Sequence, residues 1–357
     1  MEMSSEFAIG NRRIGLGSSP YVIAEMSGNH NQSLARALEI VDAAAAAGAH
    51  AIKLQTYTAD TITLDIRKGE FQITDKNSLW SGQSLHDLYS KAYTPWEWHA
   101  PIMRRAAERG LACFSSPFDE TAVDFLERLN VPAYKIASFE NNHLPLIKKV
   151  ARTGKPIIIS TGMATLAELE EAVTTARKHG CSRIVLLKCT SSYPSSPENT
   201  NLITIPHLRE LFGAPVGLSD HTMGIGVAIA SVALGASVIE KHFTLNRADG
   251  GVDSAFSIEP EELSALVIET DRAWKSLGAV TYGPTESELN SLIFRRSIYI
   301  AAEMKAGEVF TTKNLRVVRP ANGLHPRFYE QLLGRRINRD AEVGTPMSWG
   351  HLRSEGD

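Results

Sequence analysis

The sequence predicts a (β/α)8 TIM barrel followed by a small β-rich domain. Eight short apolar runs alternate with amphipathic stretches between Tyr21 and Leu277. Eight such units in roughly 250 residues match the usual size of a closed parallel barrel. The runs are apolar at nearly every position, as strands covered by helices on both faces are. After Leu277 the long repeat stops and short strand-like runs separated by glycine take over. A doubly wound open sheet shares the alternation, but no GxGxxG follows any run, and eight regular units favour closure.

The runs are YVIAE (21–25), HAIKLQ (50–55), LACFSS (111–116), AYKIAS (133–138), PIIIS (156–160), RIVLLK (183–188), PVGLS (215–219) and SVIEKH (237–242). Between them the apolar period lengthens to that of a helix: LARALEIVDAAAAAG (34–48), PWEWHAPIMRRAAERG (95–110), TAVDFLERLN (121–130) and LAELEEAVTTARKHG (166–180). Several of these stretches end in glycine, the usual helix C-cap. One connection, from Gln55 to Pro95, is long, polar and dotted with aromatics, the character of a lid or binding loop. Residues 1–280 are read as the barrel and 281–293 as a linker. Residues 294–357 are the small domain, with Gly307 and Gly323 as turn points.

Composition narrows the function classes. A net charge of −3 gives no basic field for nucleic acid. Hydrophobic residues make up 43%, yet no apolar run is long enough to span a bilayer. The first fifteen residues lack the apolar core of a signal peptide. Cys113, Cys181 and Cys189 are scattered, with no CxxC pair, which suits a reducing compartment. A cytoplasmic protein with small-molecule substrates is expected, with no nucleic acid or membrane partner.

The chemistry gathers at run ends, where parallel barrels place their active sites. The seventh and eighth runs close on Ser219-Asp220-His221 and Glu240-Lys241-His242. In a closed barrel the eighth strand lies beside the first, so His221, His242 and Glu25 occupy three contiguous strand ends. Two imidazoles with a carboxylate nearby suit Mn²⁺, Mg²⁺, Co²⁺ or Zn²⁺ with open positions for substrate. Lys53, Lys135, Lys188 and Lys241 recur on alternate runs. Buried ammonium groups need carboxylates or an anionic ligand, so either internal ion pairs or a phosphate is expected. Alternation puts Glu240 and His242 on one face and Lys241 on the other, marking Lys241 as structural. Ser138, Ser160 and Ser219 add hydroxyl donors at three more ends, and Thr190 at a fourth. No GxSxG elbow or Walker loop is present. A lysine Schiff-base aldolase using Lys135 or Lys188, and a carbohydrate- or ice-binding protein, are competing readings.

AEMSGNHN (24–31), KLQTY (53–57), SSPFD (115–119), YKIAS (134–138), STGMAT (160–165), GLSDHTMG (217–224) and EKHFTL (240–245) together resemble the sialic-acid synthase family, over nearly the whole chain. The stretches 84–99, 118–140 and 245–262 most resemble the branch that makes pseudaminic acid, with the N-acetylneuraminate and legionaminate branches as alternatives. The resemblance implies a barrel with an antifreeze-like (SAF) domain. It also implies a metal-dependent condensation of phosphoenolpyruvate with an open-chain acetamido sugar, with the phosphate leaving by C–O cleavage. By the family pattern Lys53, Lys135, Ser138, Ser160 and Ser219 meet phosphoenolpyruvate. Gln55, Asn77, Tyr193 and Asp253 meet the sugar, and Glu140 handles a proton; Glu25, with Glu140, is a candidate to stabilise the positive charge that the reaction develops at carbon 2. His221 and His242 hold the divalent cation (Mn²⁺, Mg²⁺ or Co²⁺). Arg319 reaches a partner's barrel in a domain-swapped homodimer. Ser191 stands where many relatives carry asparagine, and Ala321 where glycine is common.

Overall fold

The computed structural model describes residues 6–76 and 78–352. The chain divides into two compact units, residues 1–278 and 279–357.

The first unit is a closed barrel of eight parallel strands: β1 (Tyr21–Glu25), β2 (Ala51–Thr56), β3 (Ala112–Pro117), β4 (Tyr134–Ile136), β5 (Ile157–Ser160), β6 (Ile184–Cys189), β7 (Val216–Asp220) and β8 (Val238–His242). Each strand falls on one of the eight apolar runs. β8 pairs with β7 on one side and β1 on the other, with His242 opposite Glu25 and Glu240 opposite Ser219. Closure removes every exposed sheet edge. It also brings the last strand, more than 200 residues along, beside the first.

β4 is shorter than its run: the chain leaves the strand at Ile136 and makes a tight 3₁₀ turn, Ser138–Glu140. Period alone cannot mark that exit, because Ser138 remains buried beyond the strand end.

Helices cover the barrel, and their starts are chemically marked. Ser33 caps Leu34–Ala46, Asp119 caps Glu120–Arg128, and Thr165 with Glu168 forms a capping box on Leu166–Lys178. Their apolar faces bury Ile40, Val41, Val123, Leu126, Leu169 and Val173 against the sheet. The insertion after β2 carries two short helices, Ala59–Ile62 and Leu85–Ala92, where the sequence suggested only a loop. An antiparallel hairpin, Phe7–Ile9 with Arg12–Ile14, precedes the barrel and buries Ile9 and Ile14 in its core. Three-residue strands are too short for a period-2 signal.

In the second unit β9 (Ser297–Ile300) pairs antiparallel with β10 (Leu315–Val318). Ile298, Ile300, Met304, Phe310, Leu315, Leu332, Ile337 and Met347 form its own core. The stretch read as a linker holds a 3₁₀ segment, Glu286–Phe294, started by a Thr285–Glu288 capping box. Gly323 allows close passage of the chain, since a Cβ there would lie 2.1 Å from the Ile298 carbonyl oxygen. Ala321 sits at negative φ, so its backbone makes no demand for glycine. Among the described residues no helix is long and apolar enough to cross a membrane.

Candidate active site

The carboxyl ends of β7 and β8 bring the two imidazoles together, with ring centroids 5.3 Å apart. His221 Nδ1 lies 3.0 Å from the Thr190 carbonyl oxygen. A carbonyl only accepts, so Nδ1 carries a proton, and in the neutral ring the lone pair is on Nε2. His242 Nδ1 is buried with no hydrogen-bond partner among the described residues, and Asp253 Oδ2 is 3.8 Å away. Burial, helped by the positive His221, Lys53, Lys241 and Lys135 around it, pushes the His242 imidazolium far below its ordinary range. His242 therefore presents a neutral nitrogen out of water, whereas burial at His221 is outweighed by Cys189 beside it, which raises that imidazole above its ordinary value, so its Nε2 becomes a donor to a cation when the ring gives up a proton. That donor pair fits a divalent cation whose remaining positions go to water and substrate. No group of three or more His, Cys, Asp or Glu side chains is arranged as a metal cage among the described residues. The two rings would be the protein's share of the ligands.

Beside the imidazoles lies a buried charge cluster. Lys53 Nζ is 2.6 Å from Glu25 Oε2 and 3.8 Å from Glu240 Oε2. Glu240 also accepts from Ser219 Oγ at 3.1 Å. Burial raises the Glu25 carboxyl to about 7 despite Lys53. Burial acts the same way on Glu240, but the positive Lys135, Lys53 and His221 outweigh it and hold that carboxylate below its ordinary value. Burial lowers the Lys135 ammonium, and Lys53 lowers it further. Lys135 is fully buried and, among the described residues, has no carboxylate within ion-pair distance; its Nζ donates to Ser160 Oγ at 2.7 Å and to the Ile136 carbonyl at 3.0 Å. A buried cation with only neutral acceptors is costly unless an anion arrives.

The four lysines thus divide. Lys241 Nζ is locked to Asp220 Oδ2 at 2.7 Å and to the Thr222 carbonyl at 2.6 Å, a structural ion pair on the outer face of the barrel. Alternation along β8 assigned it that role. Lys188 donates to the Cys189 carbonyl at 3.0 Å and reaches no carboxylate. Only Lys53 and Lys135 join the central cluster, so the Schiff-base reading loses Lys188 as a member of it.

Other expected residues take places around this centre. Gln55 donates to Glu25 Oε1 at 2.9 Å and to Ser27 Oγ at 3.0 Å, and Ser27 in turn donates to Asp253. Ser27 holds φ +47°, an uncommon conformation for a residue with a side chain. Tyr193 lays its ring 4.4 Å from His221 and 6.2 Å from His242. Ser138 and Ser191 border a gap at Gly162, where a Cβ would come within 2.6 and 2.2 Å of their hydroxyl oxygens. Glu140 follows β4; its Oε2 is buried with no hydrogen-bond partner, and burial raises the carboxyl to about 7. Arg319 lies in the second unit at the end of β10, exposed and with no ion pair among the described residues. Asn77 lies outside the described residues.

A match to the NeuB family covers residues 40–282, and a match to the SAF domain covers residues 295–353. The chain belongs to the NeuB family. It is 43% identical over 333 residues to the pseudaminic acid synthase of Campylobacter jejuni, covering 93% of this chain and 96% of that protein. It is 42% identical over 330 residues to the pseudaminic acid synthase of Helicobacter pylori, covering 92% and 96%. The solved structure of N-acetylneuraminic acid synthetase from Leptospira borgpetersenii, in complex with citrate, superposes with a TM-score of 0.71 at 34% identity, covering 80% of this chain and 95% of that one.

For this NeuB chain, sequence reasoning placed Glu240 at a strand end without giving it a role, and it missed Ser27 and Gly162. Glu240 had a usable signal: it lies two residues before His242 and so shares its face. Ser27 and Gly162 had none, because their places depend on side chains brought in from distant strands and loops.

Proposed function

We propose that this chain is a pseudaminic acid synthase. It condenses phosphoenolpyruvate with the open-chain aldehyde of 2,4-diacetamido-2,4,6-trideoxy-L-altrose and water, giving pseudaminic acid and phosphate. The observation that carries the reading is Lys135: a fully buried ammonium without a carboxylate, beside Ser160 and next to a cluster that ends in paired imidazoles. Such a place suits a small polyanion that reacts with a carbonyl compound. The likeness to the Campylobacter and Helicobacter synthases supports the choice of acceptor.

In this reading carbon 3 of the enol forms a bond to the aldehyde carbon, whose oxygen takes a proton and becomes a hydroxyl. Water adds at carbon 2 and loses a proton. The bond between carbon 2 and the bridging oxygen then breaks, and phosphate leaves with the electron pair. Lys53, Lys135, Ser138, Ser160 and Ser219 bind the donor's phosphate and carboxylate. Gln55, Tyr193, Asp253 and Asn77 orient the sugar, joined by Arg319 from the partner in a domain-swapped cytoplasmic homodimer. Glu140 takes the proton of the added water, and its ionised form, with Glu25, stabilises the positive charge that develops at carbon 2. His221 and His242 hold Mn²⁺, Mg²⁺ or Co²⁺, which when bound supplies polarisation of the aldehyde carbonyl.

The test is a product assay. Phosphoenolpyruvate is offered with 2,4-diacetamido-2,4,6-trideoxy-L-altrose, with its legionaminate-series counterpart, and with N-acetylmannosamine, and the acid formed is identified by mass and NMR. Pseudaminic acid as the preferred product is expected. Preference for either other acceptor would replace the reading with legionaminate or N-acetylneuraminate synthesis.

A further inference from the structure

The insertion after β2 contributes one large side chain to the neighbourhood of the imidazoles. Trp80 is half-buried, and its indole Nε1 donates to the Val252 carbonyl at 3.1 Å. That bond ties the insertion to the loop after β8, next to Asp253. The Trp80 ring stands 6.2 Å from Tyr193. Tyr193 stands 5.3 Å from Phe256, and Phe256 is 4.9 Å from His242. Trp80, Tyr193 and Phe256 thus form a run of aromatic rings that leads from the imidazoles outward. Trp80, Leu79, Val252 and Ala255, together with the polar Gln83 and Lys91, also line a cavity of about 440 Å³, within the range that holds small ligands.

We infer that Trp80 is a specificity-determining residue that selects acceptors carrying methyl groups in place of hydroxyls. An aromatic ring offers little to a hydroxyl and much to a C–H surface. The proposed acceptor differs from N-acetylmannosamine in that respect, with a methyl at carbon 6 and a second acetamido group at carbon 4. The Nε1 bond to Val252 fixes the indole plane, so the apolar surface is in place before the sugar arrives. The polar end of the acceptor, its aldehyde, belongs to the imidazoles. The inference rests on the acceptor proposed above.

The experiment is steady-state kinetics on the full chain with Trp80→Ala and Trp80→Phe. For Trp80→Ala the KM of the trideoxy acceptor should rise about tenfold or more, the usual discrimination from one apolar contact. The KM of phosphoenolpyruvate and kcat should stay within about twofold. Trp80→Phe, which keeps a ring and loses the Nε1 donor, should recover most of the acceptor affinity. An unchanged acceptor KM in both variants would overturn the inference. So would a fall in kcat with a parallel rise in the phosphoenolpyruvate KM, which would mark a structural role. Failure of the underlying acceptor assignment is read separately, in the unsubstituted protein, as preference for N-acetylmannosamine; that result would remove the inference as well.

Discussion

Glu140 and His242 are each buried at an atom that has no hydrogen-bond partner, and each makes a specific demand on the chemistry. Burial raises the Glu140 carboxyl to about 7 from an ordinary carboxylate value near 4.5. The ionised form is the one that accepts the proton from water, so kcat/KM should fall as pH drops below about 7. Glu140→Gln should lower kcat and flatten that acidic limb, as measured in a pH profile of phosphate release. His242→Ala should remove metal-stimulated phosphate release by about a thousandfold, the scale of losing one electrostatic stabiliser. Its far-UV circular dichroism should match that of the unsubstituted chain. At this scale the sequence was informative wherever a strand end carried the group. His221, His242 and Ser219 were legible because a buried strand that closes on polar residues has no packing reason to do so; Lys53 and Lys135, inside their strands, were legible because a buried ammonium needs an anion. Ser27 and Gly162 were not legible. Their positions come from loops whose conformation is set by side chains at the neighbouring strand ends, which are distant in sequence.

Strand β8 explains why lysines of similar sequence context do different work. Glu240 and His242 face inward and Lys241 outward, where Asp220 from β7 neutralises it at 2.7 Å. Removing one member of a buried ion pair leaves the other uncompensated, so Lys241→Ala should destabilise the barrel by about 3–5 kcal/mol. The loss should appear as a lower urea midpoint, and the protein that remains folded should keep its KM for phosphoenolpyruvate. A period of two residues made this division readable before any coordinates. The eight strands and the helices between them were legible for the same reason, since each element is long enough to repeat its own period. The amino-terminal hairpin and the 3₁₀ turn after β4 are shorter than one reliable period, and they stayed hidden. The insertion was recognisable as an unusual connection by its length. Its two short helices and the reach of Trp80 to Val252 depend on tertiary partners.

Across the whole chain, the barrel closes by pairing β8 with β1, and that single pairing places His242 opposite Glu25. The division into a barrel and a small second unit was visible in the change of pattern after Leu277, although the 3₁₀ segment Glu286–Phe294 was not. Arg319 belongs to the second unit, exposed at the end of β10. If it completes a partner's sugar site, Arg319→Ala should raise the acceptor KM about tenfold with the phosphoenolpyruvate KM unchanged, the effect of losing one charged hydrogen bond to substrate. Sedimentation of the same variant should match that of the unsubstituted chain. In the proposed reaction carbon 3 of phosphoenolpyruvate joins an aldehyde, and phosphate is released by breaking the bond to carbon 2. Phosphoenolpyruvate labelled with ¹⁸O at its bridging oxygen tests it most directly, with the trideoxy acceptor and a divalent cation present. The label should leave in the phosphate; label retained in the keto acid would mean that the phosphorus–oxygen bond breaks instead.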